Sequence, residues 1–178
     1  MLDLGTGSGC ILLSLLAERP LATGLGTDLS PAALEVAAQN AEALGVAKRT
    51  KLMQSDWFAN VAGRHDLILS NPPYIAASEM PELAPELAHE PRLALTDEGD
   101  GLSAYRAITA GAGAHLVPGG WLMVETGWTQ GAQVAAMVRQ AGFEEVHLRP
   151  DLDGRDRVVL GRWPVFLDEI APDLQQNA

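Results

Sequence analysis

The sequence predicts an α/β fold with a mainly parallel sheet. Strand-like and helix-like segments alternate along most of the 178 residues, and helices that connect successive strands are typical of parallel sheets. A glycine-rich turn at residues 5–9 and a double proline at residues 72–73 each follow a predicted strand directly. The chain is long enough for one domain with a substantial core, and apolar residues make up 47% of it.

Helix and strand signals divide the first seventy residues into alternating elements. Pro20 ends the first helix. Ser30 and Pro31 are typical of the first positions of a helix, and Gly45 is typical of its end. We therefore predict helices at residues 10–19 and 31–44, and strands at residues 1–4, 50–54 and 66–70. A further strand, the second along the chain, should end near Asp28.

The rest of the chain begins with a long irregular segment. Residues 75–100 are rich in proline, glutamate and alanine, and so long an excursion in a compact domain usually has a function. Beyond it we predict a helix at residues 102–116, a strand at 121–125, a helix at 130–141 and a hairpin of strands 144–148 and 157–161.

We expect one domain over residues 1–163 and a C-terminal tail with little pattern at residues 164–178. Residue 1 already lies within the first predicted strand, so either upstream sequence is missing or this is a shortened form.

The charge balance argues against strong binding to nucleic acids. The chain has 23 acidic and 12 basic residues, for a formal net charge of −11, whereas proteins that neutralise many phosphates present surfaces of lysine and arginine. We expect no direct contact with nucleic acid. An acidic chain suits a protein partner with basic loops.

Cysteine and histidine usage bears on the location of the protein and on metal binding. The single cysteine, Cys10, excludes an internal disulfide and favours a reducing compartment. The sequence shows neither an export signal nor an apolar run that could cross a bilayer, so we expect a cytoplasmic protein that does not contact membranes. The four histidines lack metal-ligand spacing, and no metal is expected.

The turn Gly5-Thr6-Gly7-Ser8-Gly9 lies between a strand and an apolar helix. Glycines there allow a sharp turn and a close approach of a ligand to the main chain. The dinucleotide fingerprint would require a further glycine where Cys10 stands. The alternating glycines instead resemble the first motif of Rossmann-like methyltransferases, where the loop wraps the methionine and ribose of the methyl donor. The alternative is a purely structural turn.

Two acidic positions at the ends of the next strands extend this candidate donor site. Asp28 ends the second strand, where a carboxylate can accept hydrogen bonds from ribose hydroxyls. Its alternative role is a favourable charge near the N-terminus of the following helix. Asp56 and Trp57 follow the third strand and are expected to hold adenine, Trp57 by stacking. A core tryptophan is the alternative for Trp57.

The segment Asn71-Pro72-Pro73-Tyr74 follows the fourth strand and is the candidate acceptor site. Open α/β sheets bind ligands at the carboxyl ends of their strands, and two prolines restrict the backbone there. We expect the Asn71 side-chain carbonyl and the Pro72 main-chain carbonyl to accept the N–H groups of an amide or amino nitrogen. Tyr74 is expected to pack on a planar substrate, and Asn71 also to touch the donor. The alternative is that the two prolines only end the fourth strand and bind no substrate.

These motifs together resemble the peptide chain release factor glutamine N5-methyltransferases, the HemK/PrmC family. The resemblance covers residues 2–163 and includes later segments of the same family. Those segments are His89-Glu90-Pro91-Arg92-Leu93-Ala94-Leu95, Asp100-Gly101-Leu102-Ser103-Ala104-Tyr105-Arg106, Glu125-Thr126-Gly127-Trp128 with Gln130, and Asp151-Leu152-Asp153-Gly154-Arg155-Asp156-Arg157.

The resemblance implies a Rossmann-like class I methyltransferase with helices on both faces of the sheet and a C-terminal antiparallel hairpin. It also implies S-adenosylmethionine as the methyl donor and S-adenosylhomocysteine as product. The acceptor would be the side-chain amide of the glutamine in the Gly-Gly-Gln motif of a release factor, with Asn71 and Pro72 as the catalytic positions. Glu90 and Glu125 occupy family motif positions without an assigned role. The helical N-terminal domain that such proteins usually carry is absent from this sequence.

Two other functions remain open on the sequence alone. An Asn-Pro-Pro-Tyr loop also suits the exocyclic amine of adenine or guanine, so the chain can be a nucleic-acid amino-methyltransferase, although such an enzyme needs a basic track. The other alternative is a domain that binds the donor but transfers no methyl group.

Overall fold

The computed structural model describes residues 1–83 and 91–165, and within these ranges it contains a seven-stranded sheet. The strands are β1 (Leu2–Leu4), β2 (Gly24–Asp28), β3 (Thr50–Gln54), β4 (His65–Ser70), β5 (Leu116–Glu125), β6 (Glu144–Pro150) and β7 (Asp156–Arg162). The α-helices are α1 (Cys10–Glu18), α2 (Pro31–Ala43), α3 (Arg92–Leu95), α4 (Ser103–Ala112) and α5 (Gly131–Gln140). Short 3-10 turns lie at Ala47–Arg49, Met80–Glu82 and Gly113–His115.

The sheet has the order β3-β2-β1-β4-β5-β7-β6. Strands β1 to β5 run parallel, while β7 pairs antiparallel with both β5 and β6. The predicted mainly parallel sheet with a C-terminal hairpin is therefore confirmed. After β3 the chain crosses to β4 on the other side of β1, which creates a switch point between β1 and β4. Ligand sites in open α/β sheets lie at such points.

Helices cover both faces of the sheet. Side chains alternate between the two faces of a strand, and in β1 the buried Leu2 and Leu4 join the larger apolar cluster, which also includes residues of α4 and α5. Asp3 points the other way, towards α1. Helices α1 and α2 contribute to a second cluster of Leu12, Leu13, Leu16, Ala41 and Val46.

Most predicted helix and strand limits agree with the structure to within one or two residues. The Ser30 side chain accepts a hydrogen bond from the Ala33 N–H, as expected of the residue that caps α2. The prediction of one helix over residues 102–116 is wrong at its end. Helix α4 stops at Ala112, and β5 begins at Leu116, before the expected residue 121.

Tertiary packing accompanies the early end of α4. The Trp163 ring packs against Gly113, in the place that a Cβ there would take. The Gly113–His115 3-10 turn follows α4 directly, and β5 then begins with Leu116 in register with His65. Residues 117–120 then bulge out of the pairing with β4. Backbone hydrogen bonds between Trp163 and both Gly119 and Gly120 hold this bulge, which accommodates Pro118.

The irregular segment after β4 is partly described. Ile75 forms a parallel bridge with Thr96, and the short helix α3 precedes that bridge. The motif residues His89 and Glu90 lie outside the described residues, as do residues 166–178 of the expected tail. The domain boundary at residue 163 stays a prediction. Of the helices that the structure describes, none combines the length and the apolar composition needed to cross a membrane.

Candidate active site

The glycine loop leaves β1 and turns into α1 through three left-handed glycines. The φ angles of Gly5, Gly7 and Gly9 are 67°, 57° and 83°, a region that other residues adopt at a cost. The Thr6 N–H donates to the Thr27 carbonyl of β2 over 2.8 Å. A Cβ on Gly7 would meet no atom within 4 Å. The loop is therefore fixed to the sheet on one side and open on the other.

The side chains of this loop differ in accessibility. Ser8 is exposed, and its carbonyl accepts a hydrogen bond from the Asn40 side chain of α2 over 2.9 Å. Thr6 is buried, and its hydroxyl donates to the Asp3 carboxylate over 2.7 Å. Any contact of Thr6 with a ligand must therefore come from its main chain.

Asp28 connects the end of β2 to the glycine loop. One carboxylate oxygen accepts the Gly7 N–H and the other accepts the Ser30 N–H, both over 2.9 Å. The side chain is half-buried. Each oxygen keeps a further lone pair for a ligand hydroxyl, so Asp28 can serve the helix N-terminus and the predicted ribose site at once.

Trp57 lies between the core and the glycine loop. It is half-buried, packs against the larger apolar cluster, and its Cζ3 atom is 4.0 Å from the position of a Cβ on Gly5. Its φ of 46° is unusual for a residue with a large side chain. Ser55 stabilises this turn, because its hydroxyl donates to the Trp57 carbonyl and accepts the Asn60 N–H. Asp56 is exposed beside it.

The Asn-Pro-Pro-Tyr segment follows β4 next to the glycine loop. The strands β1 and β4 are neighbours, and the Ser70 hydroxyl donates to the Leu4 carbonyl over 2.8 Å, which joins their carboxyl ends. Asn71 is exposed, Pro72 is buried, and Pro73 is half-buried. The candidate donor and acceptor residues therefore lie at adjacent strand ends.

Tyr74 contacts β5, the strand that pairs with β4 on the side opposite β1. Its ring is half-buried against the larger apolar cluster, and its hydroxyl donates to Glu125 Oε1 over 3.5 Å. Burial and the nearby Glu125 carboxylate raise the pKa of the Tyr74 phenol above its usual value, so it is neutral at physiological pH. Stacking of this ring on a substrate stays a prediction.

Glu125 belongs to a charged group behind the acceptor segment that the sequence motifs did not explain. Arg157 lies 3.9 Å from the Glu125 carboxylate, and it donates to Asp151 over 3.3 Å and to the Thr126 carbonyl over 3.2 Å. The Tyr105 hydroxyl donates to the Glu125 carbonyl over 2.9 Å. These contacts fix the end of β5 and the β6–β7 turn beside Tyr74.

Gln130 was also without a role in the sequence motifs. It precedes α5, and its side chain reaches the main chain of Tyr74, Gly101 and Gly127. No periodicity or spacing signal identifies such a residue, because its partners are 56, 29 and 3 residues away along the chain. Among the described residues there is no group of three histidine, cysteine or acidic side chains that could hold a metal ion.

Comparison with known proteins agrees with this architecture. A methyltransferase from Pyrococcus furiosus superposes with a TM-score of 0.68, at 16% identity, over 92% of this chain and 74% of that one. The fold is that of the class I methyltransferases. Residues 1–104 match the methyltransferase small domain family, and the chain belongs to this family.

Named relatives are closer in sequence. The chain is 64% identical over 165 residues to the release factor glutamine methyltransferase of Cereibacter sphaeroides, and 49% identical over 165 residues to that of Xylella fastidiosa. Each match covers 92% of this chain, whereas the chain spans only 59% and 60% of the length of these relatives. The resemblance first noted in the motifs therefore extends over nearly all of the chain.

Proposed function

We propose that this protein transfers the methyl group of S-adenosylmethionine to the side-chain amide nitrogen of the glutamine in the Gly-Gly-Gln motif of peptide chain release factors. The observation that carries the proposal is the position of Asn71-Pro72-Pro73-Tyr74 beside the glycine loop, at the carboxyl ends of the adjacent strands β4 and β1. The names of the two relatives support the choice of acceptor.

The residues around the glycine loop fit the proposed donor. The open side of Gly7 leaves room for a ligand against the main chain, and the free lone pairs of Asp28 suit the two ribose hydroxyls. Trp57 offers an aromatic surface for adenine, with Asp56 beside it. Gly5, Thr6, Ser8 and Gly9 would contribute main-chain contacts. When bound, the donor supplies an electrophilic methyl group on a positively charged sulfur.

On the acceptor side, the Asn71 side-chain carbonyl and the Pro72 carbonyl accept the two N–H groups of the glutamine amide. This arrangement orients the nitrogen and increases its electron density. The nitrogen forms a bond to the methyl carbon as the carbon–sulfur bond breaks, and it then releases one proton. Correct placement of the two reactants supplies most of the catalysis in such a step.

The charge of the whole chain favours a protein acceptor over a nucleic acid. A base-modifying enzyme needs cationic side chains along the nucleic-acid backbone, and this chain has a net charge of −11. The proposal also includes a cytoplasmic location and no direct contact between the protein and nucleic acid.

Mass spectrometry of a release factor after incubation with the chain and S-adenosylmethionine tests the proposal. We expect one added methyl group on the glutamine of the Gly-Gly-Gln motif, and none on a release factor that carries Gln→Ala at that position. Parallel reactions with DNA and ribosomal RNA use donor labelled on the methyl group. Methylation of a nucleic acid but not of the release factor would identify the chain as a base methyltransferase. Donor binding by calorimetry without turnover on any acceptor would identify an inactive domain.

A further inference from the structure

The Gln130 side chain connects three segments, one of which is the acceptor loop Asn71–Tyr74. Its Nε2 atom donates to the Tyr74 carbonyl over 2.9 Å and lies 3.5 Å from the Gly101 carbonyl. Its Oε1 atom accepts the Gly127 N–H over 3.2 Å. The side chain is half-buried. One amide group therefore connects the loops that follow β4 and β5 with the turn before α4.

The acceptor loop depends on contacts of this kind because of its own composition. Pro72 and Pro73 have no N–H group, so this part of the loop has no main-chain donors of its own. The first main-chain hydrogen bonds beyond the prolines are from Ile75 to the Leu95 carbonyl and from Ala77 to the Gly99 carbonyl, both over 2.9 Å. Between the prolines and these bonds, the Tyr74 carbonyl is held by Gln130.

The turn at Gly101 brings the neighbouring segment into close contact with the same carbonyl. A Cβ on Gly101 would collide with the Tyr74 carbonyl oxygen and would lie 3.0 Å from Gln130 Nε2. The Asp97 carboxylate accepts the Gly99, Gly101 and Ser103 N–H groups, which fixes this turn. Gln130 therefore connects the Gly101 turn and the loop after β5 to the acceptor loop.

We propose that Gln130 is a positioning residue that holds the Asn71–Tyr74 segment in the geometry that binds the acceptor nitrogen. The inference rests on the proposed function, since it assigns this loop to the acceptor. The direct hydrogen bond from Gln130 to the loop is the one to the Tyr74 carbonyl. A displacement of about 1 Å at a reacting group can reduce the rate roughly 100-fold, so the loss of one side-chain donor has a measurable effect on methyl transfer.

The substitution Gln130→Glu separates positioning from packing. It keeps the size of the side chain and an acceptor for the Gly127 N–H, but it places a carboxylate against the Tyr74 and Gly101 carbonyls. We expect kcat for the release factor to fall about 10- to 100-fold, with the donor Kd unchanged within about twofold. The control Gln133→Glu makes the same change at an exposed position of α5 and should leave kcat unaltered.

The pH dependence gives a readout that a purely structural role would not change. A protonated carboxyl at position 130 can again donate to the Tyr74 carbonyl. The ratio of Gln130→Glu to unsubstituted kcat should therefore rise as pH falls towards the pKa of the introduced group. Gln130→Met, which has no donor at any pH, should show no such rise. A constant ratio for Gln130→Glu, or a kcat equal to that of the unsubstituted chain, would overturn the inference.

Amide hydrogen exchange tests the inference independently of turnover. Gln130→Glu and Gln130→Met should increase exchange at Ile75 and Ala77, while amides in the core of α1 remain protected. If the unsubstituted chain methylates no release factor, the proposed function fails and this measurement still decides the role of Gln130. Unchanged exchange at Ile75 and Ala77 in both folded variants would refute it.

Discussion

Asp3 places a carboxyl group in the core directly beneath the glycine loop. Its side chain is 2% exposed and accepts a hydrogen bond from the Thr6 hydroxyl. Burial, opposed in part by hydrogen bonds from Thr6 and the Leu12 main chain, raises its pKa from 3.8 to about 6. The folded state therefore binds more protons than the unfolded state between about pH 4 and pH 6. In that range the stability contributed by this group decreases as pH rises.

We expect Asp3→Asn to stabilise the chain at neutral pH. A carboxyl with a pKa raised to about 6 costs about 3 kcal/mol once it is ionised in the fold, and an amide avoids this cost while keeping one acceptor and one donor for its neighbours. The free energy of unfolding at pH 7.5, measured in urea without donor, should increase by about 1–3 kcal/mol. The gain should disappear near pH 4. Asp66→Asn at an exposed position of β4 is the control, and an equal gain in both variants contradicts this account.

Single positions also show what sequence alone cannot reveal. Asp28 and the glycine loop were identifiable because glycine and acidic residues have recognisable spacing around a strand–turn–helix unit. The left-handed conformation of Trp57 and the bridging role of Gln130 have no such signal. Both depend on contacts between distant segments, which only the folded chain brings together.

At the scale of whole elements, local signals predicted the first half of the chain better than the second. Helix α2 is flanked by residues with clear capping preferences, Ser30 before it and Gly45 after it. The start of β5 is different, because Pro118 and the following glycines indicate a break. The strand continues through them with main-chain hydrogen bonds between Trp163 and both Gly119 and Gly120, and that partner lies more than forty residues further on.

The approach of the Gly101 turn to the acceptor loop leads to a prediction about two elements. Gly101→Ala should displace one segment from the other, because its Cβ would collide with the Tyr74 carbonyl. Gly45→Ala is a matched control, since its φ of 68° is close to the 73° of Gly101 and a Cβ there would meet no atom within 4 Å.

We expect Gly45→Ala to cost about 1 kcal/mol of stability from its backbone conformation alone. Gly101→Ala should cost roughly 2–4 kcal/mol and should also lower kcat for the release factor without changing the donor Kd. Urea unfolding and steady-state kinetics at saturating donor measure these effects. Equal losses of stability and of kcat in the two variants would show that the close approach has no consequence.

Across the whole molecule, the sheet separates the two halves of the candidate site. Apart from Asn71, the predicted donor residues follow β1, β2 and β3, whereas the predicted acceptor residues follow β4 and are supported by β5 and β7. The switch point between β1 and β4 is where the two sets meet. The sequence predicted that both sets lie at one edge of the sheet, because parallel strands bring their carboxyl ends together. It did not predict the supports of the acceptor half, which come from the antiparallel hairpin and the loop after β5.

This division predicts that substitutions in one half mainly lower kcat and that substitutions in the other half mainly weaken donor binding. Asn71→Ala removes an acceptor for the amide N–H, so kcat should fall about 100- to 1,000-fold, while the donor Kd changes by no more than a few-fold. Asp28→Asn replaces a carboxylate that accepts the Gly7 and Ser30 N–H groups, so the donor Kd should rise at least tenfold, and kcat at saturating donor should change less.

Calorimetry with the donor and single-turnover kinetics with the release factor measure the two quantities. Glu35→Gln, an exposed change on α2, should alter neither. If both substitutions reduce donor affinity and turnover to the same extent, the two halves do not act separately.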